Sequence, residues 1–250
     1  MALRLAFDLD GVLADMESEL VRQAEILFGE TMTRRLEERA TDAPPATDPT
    51  GEEQRQAAAE TAADDVSPLI QLNMTPRQQR RLWKHVESIE NFWGTLQELE
   101  PGVIQRLAQI AADRRWEIIF LTKRPQTVGM TAQVQSQRWL ESKGFPLPSV
   151  FVVQGSRGRI AAALGLDIVV DDRPENCLDI VVDSKARAIL VWREDQKNLP
   201  VAARRLGIGV VKSVGECLDI LTEVDRPDGE QPGIMDRVMR LLGLKEPASA

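Results

Sequence analysis

Leu3-Arg4-Leu5-Ala6-Phe7-Asp8-Leu9-Asp10-Gly11-Val12-Leu13-Ala14-Asp15 is the stretch that decides how the chain folds. An apolar run of strand character ends in Asp8, Asp10 and a glycine. Side chains alternate along a strand, so Asp8 and Asp10 point to the same side. Two neighbouring carboxylates repel unless a cation or a shared proton intervenes. Such a pair at the carboxyl end of a buried strand points to chemistry. The plainer alternative is a turn in which the aspartates cap a helix.

Three more apolar runs argue against the plainer alternative. Trp116 to Leu121 ends in Thr122, Val150 to Val153 precedes Gly155-Ser156-Arg157-Gly158-Arg159, and Ile168 to Val170 ends in Asp171-Asp172. Each is short and rich in Val or Ile, with Glu117 the one polar residue among them, as strands buried on both faces are. Helical patterns separate them, which predicts an α/β fold with a Rossmann-like parallel sheet flanked by helices. Ligands bind such sheets beyond the carboxyl ends of the strands. The acidic pairs, Thr122 and an arginine should therefore meet in one crevice.

This order of motifs (Asp-x-Asp-Gly, strand-Thr, a basic residue, strand-Asp-Asp) resembles the haloacid dehalogenase (HAD) superfamily of phosphohydrolases. Asp8 to Asp15, Phe92-Trp93 followed by Glu100-Pro101-Gly102, Arg138-Trp139-Leu140 and Val170 to Pro174 are most similar to its 5'(3')-deoxyribonucleotidase branch. The resemblance implies a HAD-like core over 1–15 and 95–224. It also implies a small helical cap, inserted between the first and second core strands at 16–94, that lids the active site.

With 250 residues the chain can bury a full core beside such a cap. It has no tyrosine and only 4% aromatics, so aliphatic residues must build that core. A net charge of −8 disfavours binding to a nucleic-acid polymer. Residues 41–66 hold seven Asp/Glu against one Arg, so this stretch supplies −6 of that charge. It is also rich in Pro, Thr and Ala, cannot repay its ordering entropy, and reads as a disordered linker. Cys177 and Cys217 lack metal spacing and lie in apolar helical patterns, as buried thiols of a reducing compartment do. Asp8 and Asp10 interrupt the only apolar run near the amino end, and no run is long enough to span a bilayer. A cytoplasmic protein with no membrane contact is expected.

Helices are expected over 16–40, from Thr75-Pro76 onward, over 126–143, 159–164 and 175–184. Further strands are expected at 188–192 and 209–211. After a linker at 225–233, an amphipathic helix over 234–242 closes the chain. It either docks on the core or, like the cap, joins two copies in a homodimer. Trp83 and Trp139 lie on apolar helix faces as core residues, and His85 lies on a polar face with no assigned role.

A phosphate monoester adds about two negative charges to those of Asp8, Asp10, Asp171 and Asp172, so cations are required. An all-oxygen cluster suits Mg²⁺. The resemblance implies that Asp8, the backbone carbonyl of Asp10 and Asp172 hold the metal, with Asp171 behind them or sharing that duty. It implies that Asp8 attacks phosphorus, that Asp10 is the acid and then the base, and that Thr122 donates to the phosphoryl group. Arg157, or else Arg159, stands where the superfamily usually has Lys. Lys123-Arg124-Pro125 stands where the deoxyribonucleotidases have a small polar residue and Pro. Lys123 and Arg124 either grip a second phosphate or a carboxylate of the substrate, or form a solvated loop. Phe92 and Trp93 either stack a base of the substrate or pack cap against core. The expected activity is Mg²⁺-dependent hydrolysis of a small phosphorylated metabolite through an aspartyl-phosphate. A (deoxy)nucleoside 5'-monophosphate comes first as substrate, a sugar phosphate or other metabolite next. The rival reading is a non-catalytic, regulatory phospho-ligand binder.

Overall fold

The computed structural model describes residues 3–29 and 74–224. The 41–66 linker and the 234–242 helix lie outside them. The chain divides into two units. The first comprises Met1–Asp15, Trp93–Arg124 and Thr131–Ala250; the second comprises Met16–Phe92 and Pro125–Met130.

The first unit carries a six-stranded parallel sheet. Its strands are β1 (Arg4–Asp8), β4 (Glu117–Thr122), β5 (Ser149–Val152), β6 (Ile168–Asp171), β7 (Arg187–Val191) and β8 (Gly209–Val211). The spatial order is β5-β4-β1-β6-β7-β8. β1 is central, pairing Asp8 with Leu121 of β4 on one side and Phe7 with Val170 of β6 on the other. Its Leu5-Ala6-Phe7 centre is apolar and buried because both faces are covered. From β1 the chain builds outward through β4 to β5, then crosses to β6 on the far side. That reversal makes the carboxyl end of β1 the switch point, where an open α/β sheet binds ligands.

All six strands match the sequence reading to within about a residue, the short sixth at 209–211 included. No sequence pattern announces the two-stranded antiparallel ribbon of β2 (Ala14–Asp15) with β3 (Gln97–Glu98). It forms because the chain turns tightly after Asp8. Leu13 and Ala14 both donate to Leu9 O, and Gly11 takes φ +80° in the turn.

The helices of this unit are α3 (Val103–Arg114), α4 (Ala132–Ser142), α5 (Arg157–Leu164), α6 (Pro174–Asp183), α7 (Val201–Arg205) and α8 (Val214–Val224). The helix expected over 126–143 begins six residues later. Thr131 caps it, accepting from Val134 N, after Pro125 and a left-handed Gly129 have broken the preceding segment. Part of the core packs Ala6, Leu121, Val169 and Leu190 of the sheet with Ala161 of α5 and Cys177 and Ile180 of α6. Cys177 and Cys217 are buried and unbridged, and burial pushes the Cys217 thiol up to about 12. Trp139 is buried.

The described part of the second unit is helical, as the expected insertion requires. Its helices are α1 (Met16–Phe28) and α2 (Pro76–Ser88). Thr75 and Gln78 form a reciprocal capping box, and Pro76 opens the first turn of α2. Leu20 and Ala24 of α1 and Leu82 and Val86 of α2 are buried, whereas Trp83 is only half-buried. His85 has a structural partner here, with Nε2 3.0 Å from Gln23 Oε1. The segment 125–130 belongs to this unit because Asn91 N donates to Val128 O and Val128 N to Glu87 O. Among the described residues no helix is long and apolar enough to cross a membrane.

Candidate active site

Apart from Phe92, the side chains described here belong to the first unit. Asp8 is the last residue of β1, and Asp171 ends β6 beside it. Thr122 ends β4, and Arg157 opens α5 just past β5. Parallel strands ending level thus gather in space residues that are far apart in the chain.

Asp8 is 7% exposed. Arg157 Nη2 donates to its Oδ1 at 2.5 Å, and Arg157 Nε stands 3.9 Å from Asp171 Oδ2. The remaining nitrogen, Arg157 Nη1, is buried and has no hydrogen-bond partner among the described residues. An unpaired buried guanidinium N–H is costly, and an acceptor supplied by a bound ligand could offset that cost. Arg159, the other candidate, points away: its side chain is 84% exposed and lies 3.6 Å from Asp183. Ser156 caps α5 by accepting from Arg159 N, and the Asp179 carboxylate accepts from Ser156 Oγ and Gly158 N. That cap fixes where the helix starts, and so where Arg157 points.

Asp10 faces a different arginine. Arg124 Nε lies 3.1 Å from Asp10 Oδ1 and 2.9 Å from Oδ2, and Nη2 lies 2.7 Å from Oδ1. Thr122 Oγ1 donates to Oδ2 at 3.0 Å. Arg124 is 1% exposed, so its charge is directed at Asp10 rather than presented to solvent, and the solvated-loop alternative does not describe it. Lys123, its neighbour, is half-buried. Phe92, of the second unit, and Trp93, of the first, are both fully buried. The stacking surface expected of them is therefore enclosed here, and the Trp93 ring faces the Arg124 guanidinium.

Asp171 is held from behind by Arg173 N at 2.9 Å and by Asn176 Nδ2 at 3.0 Å from both oxygens. Asp172 lies over Gly11, where a Cβ would come 1.9 Å from its Oδ2. Only glycine lets this carboxylate approach the turn after β1. Burial pushes Asp8 well above the usual carboxylate range; Arg157 opposes that, and the charges of Asp171, Asp172 and Asp10 add to it. Burial and then the Asp171 charge push Asp172 up to about 7. Burial also raises Asp171, against the pull of Arg157.

This crowding of acids beside a polar backbone suits a hard divalent cation. Among the described residues no three acidic, His or Cys side chains form a metal cluster by themselves. Asp8 and Asp172 with the Asp10 carbonyl would make a partial oxygen shell. Mg²⁺ commonly accepts such a shell and completes it with waters and substrate phosphate.

Sequence reasoning overlooked the supports of the site. Asn176 carried a weak signal, five residues after Asp171 in the first turn of α6. Arg193, just past β7, donates to the carbonyls of Gly11 and Val12 and lies 3.4 Å from Glu100. Nothing in the sequence announces that it braces the turn after Asp10.

No protein-family model matches the chain, and comparison with curated proteins gives no match. Among solved structures it is similar to a protein of Thermotoga maritima provisionally assigned as a β-phosphoglucomutase. The TM-score is 0.52 and identity 22%, covering 89% of this chain and 99% of that one. It is also similar to a HAD family hydrolase from Deinococcus radiodurans R1 with bound phosphate and sodium. There the TM-score is 0.50 and identity 17%, covering 89% and 96% of the two chains.

Proposed function

From this HAD-like fold, we propose that the protein is a Mg²⁺-dependent phosphatase that hydrolyses small phosphate monoesters through an aspartyl-phosphate. The observation that carries the reading is the orphaned Arg157 Nη1 beside Asp8. It is a buried cationic donor next to a carboxylate oxygen, and a phosphoryl oxygen satisfies it while bringing phosphorus to that carboxylate. Asp8, the Asp10 carbonyl and Asp172 would hold Mg²⁺, which when bound neutralises phosphate charge and lets the carboxylates and the substrate share one site.

Asp8 attacks phosphorus, forming its O–P bond as the ester P–O bond breaks. Asp10 gives its proton to the departing oxygen. A water then attacks the phosphoryl group, Asp10 takes its proton, and the Asp8–phosphorus bond breaks to release inorganic phosphate. Thr122, now on Asp10, lies close enough to the acid to steady it or turn its hydroxyl to the phosphoryl group. Charge neutralisation and placement carry most of the acceleration.

Within this class a (deoxy)nucleoside 5'-monophosphate is the first substrate to test, on the similarity of Asp8–Asp15 and Phe92-Trp93 to the deoxyribonucleotidases. The Thermotoga likeness puts sugar phosphates second. With Arg124 on Asp10, Lys123 is the loop charge assigned to the leaving portion. Phosphate release from a panel of monoesters, with and without Mg²⁺, tests the proposal. Mg²⁺-dependent release from at least one supports it. Binding of phosphate without turnover would support the regulatory reading instead.

A further inference from the structure

Arg124 carries a full charge in an enclosed place. Its three nitrogens are all engaged: Nε and Nη2 on Asp10, and Nη1 on Ser136 Oγ at 2.8 Å. Ser136 Oγ donates onward to Ala132 O at 2.7 Å in the first turn of α4. The guanidinium carbon stands 4.9 Å from the centroid of the Trp93 ring and 5.9 Å from that of Trp139. The Trp93 backbone and the Trp139 ring are themselves anchored. Trp93 N donates to Gln135 Oε1 at 3.0 Å, and Trp139 Nε1 to Leu96 O at 2.7 Å.

We propose that Arg124 is a positioning residue that fixes the plane and direction of the Asp10 carboxylate and does not itself touch substrate. The inference rests on the phosphatase reading, in which Asp10 transfers the proton. A single donor would leave a carboxylate free to rotate about its Cβ–Cγ bond. A planar fork against both oxygens removes that freedom, and the two indoles keep the fork in its own plane. Fold stability alone is a poor reason for such a pair, because a buried ion pair is often no better than apolar residues of the same volume. Proton transfer gives a better one. It needs the acid within hydrogen-bond reach of the departing oxygen, and a misplacement of about 1 Å costs about 100-fold in rate. Lysine lacks the fork and stacks less well between indoles. Arginine at 124 is therefore explained by geometry as well as by charge.

First-turnover release of the leaving group tests this, with Mg²⁺ present, on p-nitrophenyl phosphate and on an alkyl phosphate. p-Nitrophenolate departs without a proton; an alkoxide does not. Arg124→Met should slow alkyl phosphate cleavage about 100-fold and p-nitrophenolate release less than about tenfold, with KM nearly unchanged. Arg124→Lys should recover part of the loss by keeping the charge. On an Asp10→Asn background, adding Arg124→Met should change either rate by less than about threefold, because nothing remains to position. That double variant also carries no unpaired buried ion. If Arg124→Met alone fails to fold, the comparison of Asp10→Asn with and without it, together with Arg124→Lys, decides the matter. Equal losses for both leaving groups, a raised KM, or a further large loss on the Asp10→Asn background would each overturn the proposal. Wild-type protein that releases phosphate from neither ester would instead refute the phosphatase reading itself, before any variant is compared.

Discussion

Two arginines each grip one aspartate of the same short motif, and they do so in opposite ways. Arg124 on Asp10 is complete: every nitrogen has an acceptor and two indoles close over it. Arg157 on Asp8 is incomplete, since Nη1 is buried with no acceptor among the described residues. An enclosed ion pair with every nitrogen engaged can orient its partner without reaching for a ligand. An unsaturated one is held open at a cost that a ligand can recover. On the proposed phosphatase reading, the contrast fits Asp8 and Arg157 to the substrate phosphate and Asp10 and Arg124 to the proton.

The largest expected effect is at Asp8. Asp8→Asn removes the attacking oxygen, so turnover should fall at least about 100-fold, while phosphate still binds beside Arg157. Phosphate release and phosphate titration measure the two. Substantial turnover would remove Asp8 from the chemistry and dissolve the distinction between the two pairs.

Arg157→Met should weaken inorganic phosphate as an inhibitor about 10- to 100-fold, the worth of a charged hydrogen bond. Arg124→Met should leave that inhibition constant unchanged. If both variants weaken phosphate equally, the two arginines share one task.

Gly158 offers a subtler probe on the Arg157 side alone. Alanine usually strengthens a helix relative to glycine by about 1 kcal/mol. Here a Cβ would come 2.2 Å from Asp179 O, so α5 must shift and carry Arg157 with it. Gly158→Ala should therefore lower the melting temperature and weaken phosphate, without altering the dependence on leaving group. A stabilised protein with unchanged phosphate affinity would show that the start of α5 does not set Arg157.

The smallest effect is on pH and metal. Folding raises the Asp172 pKa from 3.8 to about 7, so between those values the folded state binds more protons than the unfolded chain. Stability must then fall as pH rises through that window. Metal-free protein should melt a few degrees lower at pH 8 than at pH 6, and Mg²⁺ should raise the melting temperature more at pH 8. An equal Mg²⁺ shift at both pH values would mean that the acidic cluster is not where the metal acts.

Much of the fold was legible. Short apolar runs lie where β1, β4, β5, β6 and β7 form, although β5, at the sheet edge, leaves Ser149 and Phe151 exposed. Short elements were harder to read. The β2–β3 ribbon spans two residues on each side, too few to leave a pattern. The start of α4 was placed early because the helical pattern ran back through Pro125 and Gly129, whose backbone demands override it.

The sequence by itself determined which chemistry-bearing residues end the strands, because Asp8, Thr122 and Asp171 each terminate an apolar run that must be buried. Only the tertiary structure decided what the arginines do. Arg157 and Arg159 sit two residues apart on one helix, about 200° around its axis, so only one can face Asp8, and the register of α5 selects Arg157. Lys123 and Arg124 looked alike as loop charges. Arg124 turns inward because its carboxylate lies 114 residues away in sequence and is brought beside it by the pairing of β1 with β4. The partner of a charge is set by long-range packing, and no local pattern records it.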